Sequence, residues 1–416
     1  MRKILRLLRN HYKSFQLYYN NRGIILTIKR SIEVSIELFF YIFLNILNIS
    51  DYLFEKYYFC TTGVLKKIKS NRNLKIGIFR LGGIGDIIES CALVNALKNK
   101  WPDADIYLFI KNVRGNIFYN NIAQLSGVFN VSDTVQENIF LQTKLANTMT
   151  KKLIDIFYID RYVTKVLYKN SKFLNEEKET DKLFDKYNLN FNVFPLFTNS
   201  LLLFGMNVYD LKSASSGLKI SPGSLKFSTD LDALNICKNL PEYFFTIHHG
   251  SDIQMKLSNN IQTKNWFINR WSAVVDYLNK KGIPVIQLGV PGDQYIKNAT
   301  DMRGKTTLLE TAAILKKSKL HLDTEGGLVH IAKIVNTKSL VLFGPTAIEF
   351  YGYKDNINLK AGNCHNCWWS KRNWQYECPK GYKIPECMNS ITVDMAIKSI
   401  KDFLKSNHFN ASKTAT

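Results

Sequence analysis

The chain lacks the cysteine distribution of a secreted, disulfide-stabilised protein. Three of its seven cysteines, Cys60, Cys91 and Cys237, are scattered, and the other four are crowded into residues 364–387. The N-terminus also lacks an apolar core followed by a small-residue cleavage site, so no secretory signal is predicted. Because disulfide frameworks belong to oxidising compartments, these absences predict a cytoplasmic protein.

Acidic residues are scarce relative to basic ones. The 416 residues include 34 Asp and Glu against 56 Lys and Arg, a formal net charge of +22, which indicates an anionic partner. An arginine-rich arm, zinc-finger spacing and an aromatic RNA-binding signature are all missing, so nucleic acid is not the predicted partner. The length predicts two or three domains, and 46% hydrophobic residues are typical of a globular protein.

A long uncharged apolar run is absent as well. Residues 32–49 are rich in apolar and aromatic side chains but include Glu33 and Glu37, whereas a membrane-spanning helix needs ~20 mostly uncharged residues. Basic residues precede this stretch, a pattern that suits a helix lying on an anionic membrane surface. We therefore predict a basic, amphipathic, helical N-terminal extension over residues 1–73. It contacts either the inner membrane or, as an alternative of equal weight, the protein's own core or a second subunit.

The part that follows contains a strand, a glycine-rich turn and a helix. Residues 75–81 favour a strand, apolar residues then recur at helical spacing up to Trp101, and residues 105–110 favour a second strand. In open α/β sheets, ligands bind at the carboxyl ends of the strands. Asp86 lies in that turn, together with three candidate ligand-binding glycines, Gly82, Gly83 and Gly85.

Asp86 has two interpretations. An Asp that precedes an apolar helix, with Glu89 three residues later, is a capping-box pattern, and this local pattern alone favours a helix cap. The glycines favour a ligand site, since they allow a backbone to approach a ligand closely. Their order differs from the dinucleotide-binding pattern G-x-G-x-x-G, and no acidic residue ends the second strand, so an NAD enzyme is not indicated.

From residue 242 onward the chain alternates strands and helices, as in a parallel sheet. The pattern predicts strands and helices, in turn, over residues 243–248, 266–280, 283–288, 307–317, 320–323, 328–335 and 339–343. Polar or glycine-rich residues follow each strand. Because parallel strands end at the same edge of a sheet, these residues should line one crevice.

The segment from Asp323 to His330 is the most informative of these. Gly326 and Gly327 open a helix whose free amides suit a diphosphate, and Glu325 suits ribose or sugar hydroxyls. His330 lies one turn further on and either faces the same crevice or is structural. Lys264, just before another helix, is suited to balance negative charge on a leaving diphosphate, although most lysines are only solvated.

Four motifs together resemble glycosyltransferase family 9, the ADP-heptose:lipopolysaccharide heptosyltransferases. They are Arg80-Leu-Gly-Gly-Ile-Gly-Asp86, Thr263-Lys-Asn-Trp266, Glu325-Gly-Gly-Leu-Val-His330 and Leu342-Phe-Gly-Pro-Thr346, and the resemblance covers roughly residues 74–405. It implies a GT-B fold of class α/β, with two Rossmann-like domains facing across a cleft. The acceptor domain would span 74–225, the nucleotide-sugar domain 226–395, and a C-terminal helix and tail 396–416.

The resemblance also implies roles for individual residues. Asp86 matches the general base that deprotonates the acceptor hydroxyl, and Lys264 matches the lysine that stabilises the donor's diphosphate. Glu325, Gly326, Gly327 and His330 match the donor-binding loop and helix start, Thr346 the phosphate region, and Asp293, by a looser match, an acid that contacts the nucleoside. Many members have Asp-Thr-Gly in the donor loop instead of Glu-Gly-Gly, which leaves the donor open.

The remaining four cysteines, Cys364, Cys367, Cys378 and Cys387, suggest a tetrahedral zinc or iron site in a cytosolic protein. The spacing of the second pair departs from the usual C-x2-C, so a reduced cluster or an occasional disulfide is the alternative. Some family members carry comparable cysteines and bind iron. Catalysis by this family requires no metal.

The predicted function is inverting transfer of a heptose-like sugar, from ADP-heptose or a similar nucleotide diphosphate donor, to a lipopolysaccharide core or another cell-surface saccharide. The acceptor is a saccharide or is lipid-linked, and the protein is expected in the cytoplasm, peripheral on the inner membrane. The alternatives are another nucleotide sugar, a protein hydroxyl acceptor, or a non-catalytic membrane scaffold. Retention of Asp86, Lys264 and His330 argues against a scaffold.

Overall fold

The computed structural model describes residues 68–111, 116–131, 139–161, 164–169, 205–250, 262–371 and 374–407. Most of the predicted N-terminal extension, including the apolar stretch 32–49, lies outside these ranges. Within them, no helix has both the length and the apolar character needed to cross a membrane.

The first half is a five-stranded sheet with strand order β3-β2-β1-β4-β5. Neighbouring strands are parallel except for β4 and β5, which are antiparallel. The order is that of a doubly wound sheet, in which the chain reverses direction beside β1. Its elements are β1 (Lys75–Arg80), α1 (Ile84–Lys100), β2 (Asp105–Ile110), α2 (Asn116–Ile122), β3 (Gly127–Asn130), α3 (Ile139–Lys152), β4 (Ile156–Asp160), β5 (Lys165–Tyr168) and α4 (Val208–Ser216).

The second half is a six-stranded parallel sheet with strand order β11-β10-β9-β6-β7-β8. Its elements are β6 (Phe245–His248), α5 (Ile268–Lys280), β7 (Val285–Leu288), β8 (Thr300–Asp301), α6 (Leu308–Lys317), β9 (His321–Thr324), α7 (Gly327–Ile334), β10 (Ser339–Leu342), α8 (Ile348–Tyr351), β11 (Ile357–Leu359), α9 (Glu386–Asn389) and α10 (Val393–Ser406).

The alternation predicted from residue 242 onward is confirmed, with element ends that differ by at most two residues. The central strands β7, β9 and β10 are buried along their whole length, as expected for parallel strands covered on both faces. The short elements β8, α8 and β11 were not predicted, because two to four residues carry too little periodicity.

The two halves meet where α1 packs against α7. Gly327, the first residue of α7, lies so close to the start of α1 that an added Cβ would be 3.3 Å from the Cβ of Ile84. Apolar side chains of both helices belong to one buried cluster, which includes Ile87 and Leu328. The glycine turn of the first sheet therefore abuts the glycine-started helix of the second. The predicted domain boundaries at 225/226 and 395/396 remain predictions.

Candidate active site

Asp86 lies inside helix α1 rather than in front of it. The helix begins at Ile84 with Gly83 as its N-cap, so Asp86 is the third helical residue, and its Oδ2 accepts the backbone N–H of Gly83 at 2.9 Å. The expectation that Asp86 is the N-cap, with Glu89 as its capping-box partner, is wrong. Gly82 and Gly83 let the chain turn early, which places Asp86 in the role expected of Glu89.

The three turn glycines differ in what they permit. Gly82 has a φ of 119°, in the region that favours glycine, and an added Cβ would lie 2.1 Å from Oδ2 of Asp86. At Gly85 an added Cβ would lie 2.6 Å from Cδ2 of His330. At Gly83 an added Cβ would meet no atom of the described residues within 4 Å. Gly82 thus shapes the turn, Gly85 admits His330, and Gly83 borders open space.

Arg80 fixes the orientation of Asp86. This arginine ends β1, is 3% exposed, and its Nη2 donates to Oδ1 of Asp86 at 2.6 Å and to Oε2 of Glu89 at 3.0 Å. The side chain of Asp86 is 37% exposed. The protein therefore holds the carboxylate through Arg80, while the side chain of Asp86 stays partly exposed. In the sequence, Arg80 was quoted only as part of a motif, and its position six residues before the acid was the signal for this contact.

Behind this pair lies a buried group of charges that sequence reasoning missed. Nζ of Lys212, on α4, donates to Oδ1 of Asp160 at 2.7 Å, and Oγ of Ser90 donates to Oδ2 of Asp160 at 2.5 Å. Burial opposes ionisation of Asp160, but Lys212 and Arg80 outweigh it and lower its pKa. Burial raises the pKa of Glu89 to about 7, despite the same two cations. These residues come from separate segments, so no local pattern reveals them.

In the second half of the molecule, Lys264 and Glu325 form an ion pair. Both side chains are largely buried, at 25% and 11% exposure. Helix α7 begins at Gly327, and Gly326, which has an extended backbone conformation, is its N-cap. The structure thus brings the predicted lysine to the predicted donor loop. Their roles in binding remain predictions.

His330 lies at the junction of the two halves. It is 6% exposed, with Cδ2 and Nε2 against Gly85, and its Nδ1 is 2.7 Å from the hydroxyl oxygen of Tyr353. Burial lowers the pKa of His330, and the nearby carboxylates of Glu325 and Asp86 offset that only in part. The imidazole is therefore neutral near pH 7.

Asp293 is held inside the protein. It is 4% exposed, its Oδ2 accepts the backbone N–H of Val290 at 2.8 Å, and Nε2 of His248 lies 3.7 Å from that oxygen. An added Cβ at Gly250 or Gly289 would come within 2.4 Å of the carboxylate. These contacts account for Asp293 structurally, and its predicted contact with the nucleoside remains a prediction.

His248 is a second residue that the sequence did not reveal. Its Nδ1 lies 3.0 Å from Oδ1 of Asp323, and Asp293 approaches its other nitrogen. Burial opposes protonation, but the two carboxylates outweigh it and raise the pKa of His248 to about 10. A largely buried imidazolium therefore lies between two carboxylates, that of Asp323 in β9 and that of Asp293 in the loop after β7.

Thr346 follows β10 and is 3% exposed. Within the described ranges its hydroxyl oxygen is buried and has no hydrogen-bond partner. A buried hydroxyl without a partner is costly. The predicted contact of Thr346 with the phosphate region remains a prediction.

The four clustered cysteines are free thiols in this structure, and all but Cys367 are buried. Burial, with a smaller contribution from the neighbouring thiols, raises the pKa of Cys367 to about 11 and that of Cys387 to about 12. Among the described residues no three His, Cys, Asp or Glu side chains are placed to hold a metal ion. A metal would have to draw these thiols together and displace their protons.

Comparison with known proteins gives one family match. Residues 209–383 match the model described as glycosyltransferase family 9 (heptosyltransferase). Among curated protein sequences, none matches the chain. The matched range includes Lys264, Glu325 and His330, whereas Asp86 lies outside it.

Several solved structures share the fold. ADP-heptose lipopolysaccharide heptosyltransferase II of E. coli is 14% identical, with a TM-score of 0.51, over 80% of this chain and 100% of that one. A family 9 glycosyltransferase from Veillonella parvula DSM 2008 is 16% identical, with a TM-score of 0.51, over 80% and 97%. The iron-containing dodecameric glycosyltransferase TibC from enterotoxigenic E. coli H10407 is 13% identical, with a TM-score of 0.52, over 82% and 78%. At this identity the likeness shows the fold, and the predicted GT-B architecture is confirmed.

Proposed function

We propose that this chain, of which residues 209–383 match the glycosyltransferase family 9 model, transfers a heptose-like sugar from ADP-heptose to a saccharide hydroxyl, with inversion at the anomeric carbon. One observation carries the proposal. The first turn of α1, which holds Asp86, abuts the start of α7, so the carboxylate, the Lys264–Glu325 pair and His330 border one junction. In this proposal Asp86 would serve as the general base and Lys264 as the diphosphate-binding group, on opposite walls of the cleft.

The donor wall suits a nucleotide diphosphate. The free amides at the start of α7 and the ammonium of Lys264 both favour negative charge. The donor's diphosphate would compete with Glu325 for Lys264, and the released carboxylate would accept hydrogen bonds from ribose or sugar hydroxyls. As the bond from the anomeric carbon to phosphate breaks, Lys264 would stabilise the charge on the departing diphosphate. We also assign the buried hydroxyl of Thr346 to this wall.

The acceptor wall suits proton abstraction. The acceptor oxygen would attack the anomeric carbon from the face opposite the diphosphate, and Asp86 would take the hydroxyl proton as the new bond forms. Arg80 and the N–H of Gly83 hold the carboxylate in place, so little reorganisation is needed at that moment. Displacement from the opposite face inverts the anomeric configuration.

The donor is tested with the purified full chain and a panel of nucleotide sugars: ADP-heptose, ADP-glucose, UDP-glucose and GDP-mannose. Each is incubated with lipopolysaccharide core saccharides, and products are identified by mass spectrometry. We expect a mass increase of one heptose from ADP-heptose alone. Transfer from a different nucleotide sugar would show that the proposed donor is wrong. Transfer to a protein hydroxyl would show that the proposed saccharide acceptor is wrong.

We further propose that the enzyme acts on the cytoplasmic face of the inner membrane, where its net charge of +22 would favour anionic acceptors. Co-sedimentation with vesicles tests this idea. We expect the protein to bind vesicles that contain phosphatidylglycerol. We expect this binding to be lost with pure phosphatidylcholine vesicles or in high salt. Equal recovery in the supernatant with both lipids would contradict it.

We also propose that Cys364, Cys367, Cys378 and Cys387 hold a structural zinc or iron ion when loaded. Four thiols in one short segment of a reduced protein support this assignment. The described side chains are not placed to bind an ion, so no catalytic step is assigned to it. Elemental analysis of protein purified without added metal should show about one ion per chain; a content near zero removes the assignment.

A further inference from the structure

Three buried side chains form a hydrogen-bonded chain across the junction of the two halves. The hydroxyl oxygens of Tyr209 and Tyr353 are 3.1 Å apart, and that of Tyr353 is 2.7 Å from Nδ1 of His330. Tyr209 and Tyr353 are 6% and 8% exposed. Neither tyrosine belongs to the motifs that identified the family, and neither is used in the mechanism above.

The chain joins both halves of the molecule. Tyr209 lies on α4, which is fastened to the first sheet through Lys212 and Asp160. Tyr353 follows α8 and His330 lies on α7, both in the second half. The hydrogen bond between the two tyrosines is therefore formed only when the halves are in contact.

The order of protons along this chain follows from counting donors. A neutral imidazole has one donor and one acceptor nitrogen, and each phenol has a single proton. Burial raises the pKa of both Tyr209 and Tyr353, so both keep their protons near pH 7. Three arrangements remain: the two hydrogen bonds both run toward His330, both run toward Tyr209, or both end on the hydroxyl oxygen of Tyr353.

In the first arrangement, Tyr209 donates to Tyr353, and Tyr353 donates to Nδ1 of His330. Both phenol protons then have an acceptor. The remaining imidazole proton is on Nε2, an atom that is not among the buried ones without a partner in the described residues. In the second, Nδ1 donates to Tyr353 and Tyr353 donates to Tyr209, which leaves the Tyr209 proton without an acceptor among the contacts described for it. In the third, Tyr209 and Nδ1 both donate to Tyr353, whose own proton then lacks an acceptor among the contacts described for it. Since a buried unpaired donor is costly, the first arrangement is the stable one.

We propose that Tyr353, supported by Tyr209, is a positioning residue that fixes His330 as its Nε2–H tautomer, so that an N–H donor faces the donor-binding junction beside Gly85. This inference rests on the proposed function, because the donor it serves is the nucleotide sugar. Nε2 lies at the start of α1, close to where the reacting groups would meet. An N–H fixed there would donate to a phosphate oxygen of the nucleotide sugar, whereas an unprotonated Nε2 would repel it.

The tautomer is read by nuclear magnetic resonance on the full chain labelled with 15N-histidine, without any donor. The chain has seven histidines, and the spectrum of His330→Gln identifies the signals of His330 by their absence. We expect a protonated Nε2 and an unprotonated Nδ1 in the wild type. In Tyr353→Phe, the 15N chemical shifts of Nδ1 and Nε2 of His330 should move toward each other, because both tautomers would then be populated. A protonated Nδ1 in the wild type, or unchanged shifts in the variant, overturns the proposal.

Kinetics with the nucleotide sugar give the second readout. Tyr353→Phe should raise KM for the donor about tenfold, the effect of losing one well-placed hydrogen bond, with a smaller change in kcat. Tyr209→Phe should give a smaller rise, because it removes only the support. Tyr277→Phe, a partly buried tyrosine on α5 beside Lys401, is the matched control and should leave KM unchanged.

The two proposals fail in different ways. If ADP-heptose is not the donor, the spectra still decide the tautomer, and the kinetics are repeated with whichever nucleotide sugar reacts. If the spectra change as expected but KM for that donor does not, His330 plays no part in donor binding and the positioning role is wrong. Should Tyr353→Phe fail to fold, the spectra and KM of Tyr209→Phe decide the same question.

Discussion

At the scale of single residues, Asp86 combines a structural and a chemical position. Its Oδ2 caps the first turn of α1, its Oδ1 pairs with Arg80, and the side chain is still partly exposed. Capping is compatible with the proposed role as a base, because the capping carboxylate is still partly exposed.

Asp86→Asn should lower kcat by about 10²- to 10⁴-fold, the range typical of a lost general base. The amide still accepts from Gly83, so the fold should survive, as circular dichroism would show. Asp103→Asn, an exposed acid beyond the other end of α1, is the control and should retain full activity. Wild-type rates in Asp86→Asn would reject Asp86 as the base.

The raised pKa of Glu89 should make the free energy of unfolding depend on pH. Burial raises its pKa to about 7 from an ordinary 4.5, so between these values the folded state binds more protons than the unfolded state. Its contribution to the free energy of unfolding must therefore fall as pH rises from about 5 to about 8. Glu89→Gln removes that titration.

The measurement is the difference in free energy of unfolding between Glu89→Gln and the wild type, from urea titrations at several pH values. The difference should shift in favour of the variant as pH rises. A difference that stays constant, or shifts the other way, would contradict the assigned pKa.

At the scale of secondary-structure elements, the candidate site lies where the first turn of α1 contacts the first turn of α7. Gly85→Ala would place a Cβ 2.6 Å from His330 Cδ2, forcing the imidazole away or the helices apart. We expect a loss of kcat/KM of at least about tenfold, as for a misplaced catalytic group. Gly223→Ala is the control, since Gly223 is exposed and, among the described residues, an added Cβ would meet only Oγ of Ser221, at an ordinary contact distance of 3.7 Å. Equal activity of the two variants would show that this contact is unimportant.

The elements of the second half were predictable because they are long, buried and regularly spaced. The start of α1 was not, since the Asp86-x-x-Glu89 pattern competes with the preference of the glycines for an earlier turn. Only the folded chain, with Arg80 and Lys212 surrounding Glu89, decides that Glu89 is a buried ion-pair partner instead of a capping residue.

At the scale of the whole molecule, the cysteine-rich segment 364–387 is joined to the donor wall. Oγ1 of Thr263 donates to the backbone oxygen of Trp374 at 2.8 Å. The backbone N–H of Thr263 donates to the backbone oxygen of Gln375 at 3.1 Å. Thr263 is the residue before Lys264. The position of the lysine therefore depends on a segment more than a hundred residues away.

Thr263→Val keeps the shape of the side chain but removes the hydrogen bond to Trp374. We expect KM for the nucleotide sugar to rise by about three- to tenfold, with a smaller effect on kcat, because the proposed role of the lysine is to bind donor phosphates. Ser370→Ala, which removes an exposed hydroxyl in the same segment, should leave KM unchanged. If both variants behave like the wild type in steady-state assays, the segment does not support Lys264.

By itself the sequence determined the two α/β halves, the glycine turn and the donor loop, because each is encoded by periodicity or by residues close together in the chain. The tertiary structure alone decided which distant side chains meet: Lys212 with Asp160, Lys264 with Glu325, and Tyr209 with Tyr353. Those contacts join segments far apart in sequence, and they depend on how two sheets and their helices pack. Packing of that kind is a property of the whole folded chain, and no local pattern encodes it.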